Sequence, residues 1–240
     1  MFNLYIDNRI RDNLVKPYEL FKKTYMEKIV PVFSNIEEEA KEIAEKSWEE
    51  LGRYFNPDYD DPADFAEHAQ NEGLEYFEGM SLMEYNTRLM WVSTLYQFWE
   101  QQVRKFLFDE VGRWLRWTGN KPIKMKDFCK NGVVDIKSVF NHLNFNIENM
   151  TMWGEINKLR LLTNTIKHAD GGAATSLRAI CPQYFYSEYS TVDLLELYNT
   201  TLNERVLNVS DQDFIDFCDN LIKFWDELNE EFRPHQKLNF

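Results

Sequence analysis

WGEINKLRLLTNTIKHADGGAATSLR, the stretch from Trp153 to Arg178, decides the fold class. Its apolar residues recur at the i, i+3, i+4, i+7 spacing that is typical of the buried face of an α-helix. They are Ile156, Leu159, Leu162, Thr163, Ile166 and Ala169. The run Asp170-Gly171-Gly172 follows directly, and glycine commonly ends a helix in this position. The stretch therefore predicts a packed helix that ends in a glycine cap.

A second stripe of the same helix is wholly polar and lies beside the apolar one. It consists of Asn157, Arg160, Asn164, Lys167 and His168, which we call the polar ridge. Arg160, Asn164 and His168 follow one another by one turn each, with about 6 Å of rise and about 40° of rotation. Histidine can transfer protons near neutral pH, and arginine and lysine stabilise negative charge on phosphate. The ridge therefore predicts a surface that could hold and protonate a phosphate ester.

A structural explanation of the ridge stays open beside this one. The C-terminus of a helix favours cations, which would place Lys167 and His168 there without any catalytic role. However, no acidic or aliphatic residue interrupts the stripe, and it combines a proton-transfer group with phosphate-binding cations.

The run LRLLTNTIKHADG, followed by a short second helix and a proline-containing loop, resembles the motif helix of the HEPN superfamily. The segment LYQFWEQQVRKFLF before it is similar to the long helix on which such proteins pack that helix. The family motif is an Arg, often followed by Asn, Asp or His, and then a His after four to six residues in all. Asn164 and His168 match it. Seven residues separate Arg160 from His168, and Thr163 stands where the family has its arginine.

The resemblance implies an all-α, HEPN-like helical bundle with a long central helix and a small irregular C-terminal insertion. Many members are metal-independent endoribonucleases of toxin–antitoxin or phage-defence (abortive infection) systems, so RNA would be the substrate. His168 would transfer a proton, Arg160 and Lys167 would stabilise charge on phosphorus, and Asn164 would orient the phosphate or the histidine. No cofactor and no metal are implied. Two partners are expected, a second copy of the chain in a homodimer and an antitoxin or other defence-system protein.

The alternative function is a catalytically inactive HEPN-like module that uses the ridge to bind a partner protein or a nucleotide. Thr163 in place of the motif arginine favours this alternative, whereas the retention of Arg160, Asn164, Lys167 and His168 favours the ribonuclease.

Charge is unevenly distributed along the chain, whose net charge is −13. Residues 37–78 carry 15 acidic and 3 basic side chains, whereas residues 79–180 carry 9 acidic and 14 basic ones. The longest basic block is therefore the block that contains the ridge, as RNA binding requires. Acidic segments are also typical of solvated helix faces, and charge alone favours that interpretation.

Composition and motifs bound the remaining possibilities. Nine Gly and seven Pro in 240 residues favour helices over sheets, and three distant Cys indicate reduced thiols of a cytoplasmic protein. The sequence has no run long and apolar enough for a membrane span. Neither a zinc site nor a phosphate-binding glycine loop is present as a motif.

The predicted elements, taken in order, lead us to expect one domain over residues 1–240. It comprises acidic N-terminal helices (1–78), a basic core that bears the motif (79–180), and a loop plus C-terminal helix (181–240). We expect a helix or helix pair over 16–55 that is divided at Pro31 and restarted by a Ser34–Glu37 capping box. Further helices are predicted over 81–117, 135–144, 173–180 and 210–232, with a short one after Asp61, a basic loop over 118–133 and a small hairpin over 197–209.

Overall fold

The computed structural model describes residues 4–117, 121, 123–186 and 192–232. Within these ranges the chain forms helices and turns, and no strand is present, which confirms the all-α class. The α-helices are α1 (Asn8–Thr24), α2 (Ile36–Gly52), α3 (Pro62–Trp117), α4 (Val133–His142), α5 (Trp153–His168), α6 (Gly172–Ile180), α7 (Leu194–Tyr198) and α8 (Asp211–Phe232). No helix in the described ranges is both long and apolar enough to cross a membrane.

The long helix α3 organises the other elements. It has 56 residues, so it is about 84 Å long at 1.5 Å per residue. Its predicted start at Ser81 was wrong, because the short helix expected after Asp61 is continuous with it. Asp61 accepts a hydrogen bond from the amide of Ala63 (2.8 Å), and Pro62 occupies the first helical position.

The main core lies between α1, α3, α5 and α8. Helix α1 packs along α8, and α5 packs against both α3 and α8, which confirms the expected side-by-side packing of α3 and α5. The core is rich in large aromatic side chains that are fully or almost fully buried, namely Trp99, Trp225, Tyr18, Tyr184, Phe140, Phe185, Phe214, Phe217 and Phe224. Gln102 of α3 accepts hydrogen bonds from Tyr18 of α1 (2.5 Å) and Trp225 of α8 (2.9 Å), so one polar group joins three helices inside the core.

Helix α2 and the first third of α3 form an antiparallel helical hairpin, residues 36–80, which we call the arm. Helix α2 packs on α3. The main core takes up α3 only from about Tyr85 onward, and the buried residues Ile36, Ala40 and Ala69 lie outside it. The arm is therefore held together chiefly by contacts between its own two helices.

Several predictions for the N-terminal helices need correction. Helix α1 begins at Asn8, where Asp7 accepts a hydrogen bond from the amide of Ile10 (2.7 Å), so Pro17 lies inside the helix and not in its first turn. The division near Pro31 is confirmed, because a π-turn and a 3₁₀ turn separate α1 from α2. The Ser34–Glu37 capping box is absent, since the Ser34 hydroxyl instead donates to the carbonyl of Pro31 (2.9 Å).

The C-terminal third confirms one predicted cap and removes one predicted hairpin. Ser210 and Asp213 exchange hydrogen bonds at the start of α8 (3.1 and 2.8 Å), as a capping box does. Residues 197–209 end α7 and then run without a strand partner, so the hairpin prediction was wrong. The predicted helices 135–144 and 173–180 are confirmed as α4 and α6 within two residues at each end.

Candidate functional site

Helix α5 buries the face that its sequence predicts. Every apolar residue of the predicted arc from Ile156 to Ile166 is buried, and Leu161 and Thr165 are buried as well. The buried sector is therefore wider than the arc, because α5 has α3 on one side and α8 on another. The polar ridge is the part of α5 that these neighbours leave accessible.

The N-terminal end of the ridge is a bonded pair. The guanidinium of Arg160 donates to the Oδ1 atom of Asn157 from Nε (3.1 Å) and from Nη2 (2.8 Å). Both residues are half-buried. Side chains on a helix lean toward its N-terminus, so this pairing turns the guanidinium away from His168.

The positive charge of Arg160 also influences a polar group of the long helix α3. Burial raises the pKa of the Tyr96 phenol, the carboxylate of Glu100 raises it further, and the nearby positive charge of Arg160 acts in the opposite direction. Tyr96 donates a hydrogen bond to Glu100 (2.9 Å), which also accepts the amide of Val133 (3.1 Å). Tyr96, Glu100 and Val133 therefore form a polar contact between α3 and the start of α4, and the charge of Arg160 acts on it through space.

The C-terminal end of the ridge is open. Lys167 and His168 are both exposed, and no residue in the described ranges forms a hydrogen bond or ion pair with either side chain. Asn164 lies half-buried between the two ends of the ridge. Because Arg160 and His168 differ by eight positions, they are about 12 Å apart along the helix axis and about 80° apart around it. The two ends of the ridge therefore form two neighbouring subsites and not one clamp.

Helix α5 ends in an unusual backbone conformation. Ala169 has φ 56° and ψ −139°, whereas Gly171 is extended and Gly172 already begins α6. The predicted glycine cap was wrong, because the positive φ falls on an alanine. Such a conformation costs a non-glycine residue on the order of 1–3 kcal/mol and often accompanies functional sites.

Tertiary contacts hold the segment after His168 in place. The Thr201 hydroxyl donates to the carbonyl of Ile166 in the last turn of α5 (2.7 Å). Arg178 donates to Asp170 and to Asp193, at 2.6 Å each, and its guanidinium lies over the ring of Phe185 at 4.7 Å. The Asp170 carboxylate, which is the acid closest in sequence to His168, is thus neutralised by an arginine.

Arg178 also determines the charge state of Asp193, which is almost completely buried. Burial alone raises the pKa of Asp193, but hydrogen bonds from Arg178 and from the backbone amide of Glu196 outweigh burial and hold it below the ordinary value. Asp193 therefore stays ionised at neutral pH and stays paired with Arg178. We call the contacts of Arg178 with Asp193 and Asp170 the tether.

The N-terminus of α6 lies three residues beyond His168 and has no side-chain cap. Thr175 and Ser176 do not cap it, because their hydroxyls donate backward to the carbonyls of Gly171 (3.2 Å) and Gly172 (3.0 Å). Backbone amides and the helix dipole at such a terminus attract anions. This feature was not predicted from the sequence, although Gly171 directly before the helix and Gly172 at its first position are a signal for it.

Thr163 shows where the site departs from the family motif. It is 4% exposed, and its hydroxyl has no hydrogen-bond partner within the described part of the chain. A residue at this position faces the core and not the ridge. An arginine in the family register would therefore lack a place in this packing.

The other reactive side chains lie away from the ridge. His142 donates from Nδ1 to the carbonyl of Ser138 (2.7 Å), His68 lies 3.7 Å from Glu72, and His235 lies outside the described residues. Burial raises the pKa of Cys129 to about 11 and of Cys218 to about 12, so neither thiol is an activated nucleophile. Within the described ranges no group of His, Cys, Asp and Glu could hold a metal ion.

The basic segment predicted as a loop over 118–133 is partly fastened to α3. Arg104 donates to the carbonyls of Phe128 (2.6 Å) and Met125 (2.8 Å), and residues 118–120 and 122 lie outside the described ranges. Within the described part of this segment, no hydrogen bond or ion pair joins its lysines to the ridge.

Compared with models of known protein families, with curated proteins and with solved structures, the chain matches none of them. The resemblance to HEPN proteins therefore stays a prediction that rests on α5 and α3.

Proposed function

We propose that this chain is a metal-independent endoribonuclease of the HEPN-like toxin or phage-defence type, acting at the open end of the polar ridge. One observation carries the proposal. Lys167 and His168 are exposed and without partners in the described structure, and the uncapped amides of α6 follow within three residues. A proton-transfer group, a cation and an anion-attracting helix terminus thus occupy one short segment.

The reaction is transfer of the phosphodiester to the neighbouring 2′-oxygen. The 2′-oxygen loses its proton and attacks phosphorus, and the bond from phosphorus to the 5′-oxygen breaks as that oxygen gains a proton. The products are a 2′,3′-cyclic phosphate and a free 5′-hydroxyl. His168 takes or gives one of these protons, while Lys167 and the α6 amides stabilise the charge that develops on the phosphoryl oxygens.

Arg160 has a different role in this proposal from the one that the sequence suggested. Since its guanidinium is bonded to Asn157, and residues 160 and 168 are about 12 Å apart along the helix axis, it would hold a neighbouring phosphate of the RNA strand. Asn164 lies between the two subsites and would contact the connecting sugar or phosphate. Removal of Arg160 should then weaken RNA binding more than it slows the bound reaction.

One histidine per chain is insufficient for two simultaneous proton transfers. A homodimer that places two ridges near its two-fold axis would supply the second histidine. The expected sedimentation mass is about twice the 28.8 kDa of one chain.

A second candidate is the inactive HEPN-like module that binds a partner protein or nucleotide through the same ridge. Burial of Thr163, together with the engagement of Arg160 by Asn157, favours it, because the family's catalytic arginine has no counterpart next to Asn164.

The test is cleavage of a labelled single-stranded RNA in EDTA by the wild-type protein and by His168→Ala. We expect cyclic phosphate ends from the wild type and a rate at least about 100-fold lower for the variant. His68→Ala is the matched control, since His68 is equally accessible but lies on the arm. Absence of cleavage, or equal cleavage by His168→Ala, would refute the ribonuclease. Loss of nucleotide or partner binding by the same variant would then favour the inactive module.

A further inference from the structure

Two hollows lie next to each other along the exposed side of α3. One, of about 360 Å³, lies between α2 and α3 within the arm. The other, of about 600 Å³, lies between α3, α7 and residues 203–205. Phe77 lines both, so the two hollows adjoin along α3 between Gln70 and Leu82, and we call them together the groove. This span is about 18 Å, the length of three turns of helix.

The floor of the groove is apolar and accessible. Leu74 is 50% exposed and Tyr198 is 49% exposed, and Phe77 lies between them. Gly73 lets α2 approach closely, because a Cβ atom there would lie 2.7 Å from the carbonyl oxygen of Ala40. Small side chains at the helix seam thus leave the larger apolar ones uncovered beside it.

The rim of the groove is acidic. Glu37, Glu75, Glu78 and Glu204 are exposed, and no cation in the described ranges lies within 4 Å of their carboxylates. Lys41 and Arg205 are the cations among the lining residues. The surrounding segment 37–78 carries a net charge of −12, and its one ion pair within the described structure joins Glu72 to a histidine. Glu37 and Lys41, and likewise Glu42 and Lys46, are one helical turn apart, but neither pair forms an ion pair in the described structure.

We propose that this groove is the docking surface for a basic amphipathic helix of a partner protein. The apolar stripe of that helix would cover Leu74, Phe77 and Tyr198, and Lys or Arg residues on its flanks would lie opposite the glutamates of the rim. The occupant follows from charge complementarity. An apolar helix without basic flanks would leave the carboxylates unpaired, and an acidic one would be repelled.

A second copy of the arm is a poorer occupant for the same reason. Two arms placed side by side would each bring a net charge of −12 within a Debye length of the other. The groove also lies on a different part of the chain from α5, so this proposal stands whether or not the ridge cleaves RNA.

The experiment measures binding of fluorescent helical peptides of about 18 residues, five turns, by anisotropy. One peptide has a leucine stripe flanked by lysines, and a second has the same stripe flanked by glutamates. The full chain is compared with Leu74→Gln, which removes apolar floor, and with the double variant Glu75→Gln/Glu78→Gln, which removes rim charge. The matched controls are Leu20→Gln, at an exposed leucine of α1, and Glu49→Gln/Glu50→Gln, which removes the same charge elsewhere on the arm.

We expect the lysine peptide to bind the wild type and the controls alike, and to bind both groove variants about tenfold more weakly. Added salt should weaken binding to the wild type more than to the rim variant. Absence of lysine-peptide binding, equal binding of the glutamate peptide, or equal weakening by the controls would overturn the proposal. A dimer mass that falls to that of one chain in Leu74→Gln would also overturn it, because a second copy would then be the occupant.

Discussion

The arm and the end of α5 both present exposed charge without ion-pair partners, but the two regions are constructed in opposite ways. The arm has few apolar contacts beyond its own helix seam, where Ala40 meets Gly73, and nearly all its carboxylates face solvent without cations. Helix α5 is buried on two sides, and the segment after His168 is fixed by Arg178 and Thr201.

This difference shows how surface charge acquires a position. On the arm, only the paths of the two helices set the positions of the carboxylates. The carboxylates therefore form a broad negative surface that can bind a partner in many orientations. At the end of α5, tertiary contacts hold the backbone on both sides of Lys167 and His168. The broad negative surface of the arm suits recognition of a charged helix. The fixed Lys167 and His168 at the end of α5 suit chemistry on one phosphate.

The largest expected effect on stability comes from a substitution in the main core, outside the arm. Trp225→Ala should destabilise the fold by about 3–5 kcal/mol, because it removes a fully buried indole and its hydrogen bond to Gln102. Denaturant unfolding followed by tryptophan fluorescence measures the loss. Trp48→Ala is the comparison on the arm, where the indole is 46% exposed, and it should cost less than about 1 kcal/mol. Similar costs would show that the arm and the core are packed alike.

The sequence predicted the core better than the arm, and for a physical reason. Burial on α5 and α8 repeats with the helical period, so residues such as Leu159 and Phe217 could be assigned from spacing. The continuity of α3 could not be assigned from spacing. Gly73 is needed because α2, a helix distant in sequence, approaches α3 closely at this point. The positive φ of Ala169 could not be predicted either, because the hydrogen bonds that hold its neighbours Ile166 and Asp170 come from Thr201 and Arg178, which lie outside the helix.

At the candidate site, residue type was predictable and orientation was not. The spacing of Arg160, Asn164 and His168 on one helix is confirmed. The guanidinium of Arg160 turns toward Asn157, one turn earlier, and away from His168, which the shared spacing of the ridge residues does not specify.

The second prediction tests the tether that fixes the α5 end. Arg178→Ala should destabilise the fold by roughly 2 kcal/mol at pH 7, because it leaves the buried carboxylate of Asp193 without its main partner. Arg205→Ala, at an exposed arginine without an ion pair in the described structure, is the control and should change stability little.

The same tether predicts a pH dependence. Because the folded pKa of Asp193 lies below its ordinary value of about 3.9, its contribution is complete above that pH and is lost as pH falls toward the folded pKa. The difference in unfolding free energy between the wild type and Asp193→Asn should therefore shrink on acidification below about pH 4. A difference that grows on acidification would contradict the ionised tether.

The third prediction concerns the seam of the arm and uses two glycines of the same helix. Gly79→Ala should stabilise the protein by about 0.5–1 kcal/mol, since no atom lies within 4 Å of the added Cβ and alanine favours the helix. Gly73→Ala should instead cost about 1 kcal/mol, because the new Cβ would meet the Ala40 carbonyl oxygen at 2.7 Å and push α2 away. Chemical denaturation of both variants measures the pair, and hydrogen exchange should locate the loss in α2. Equal effects of the two substitutions would mean that Gly73 does not set the seam.

The smallest expected effect is a gain in stability from a substitution at the end of α5. Ala169→Gly should relieve the positive φ of 56°, and the gain is reduced by the greater freedom of glycine in the unfolded chain. The net stabilisation should be about 0.5–1 kcal/mol, seen as a higher denaturant midpoint at an unchanged slope. Ala173→Gly, inside α6, should destabilise by a similar amount because it lacks any such strain to relieve.

If the proposed ribonuclease depends on a fixed His168, Ala169→Gly should lower its activity while raising stability, because freedom at residue 169 loosens the link between the histidine and the α6 amides. Greater stability with unchanged cleavage would show that the strained alanine serves packing alone.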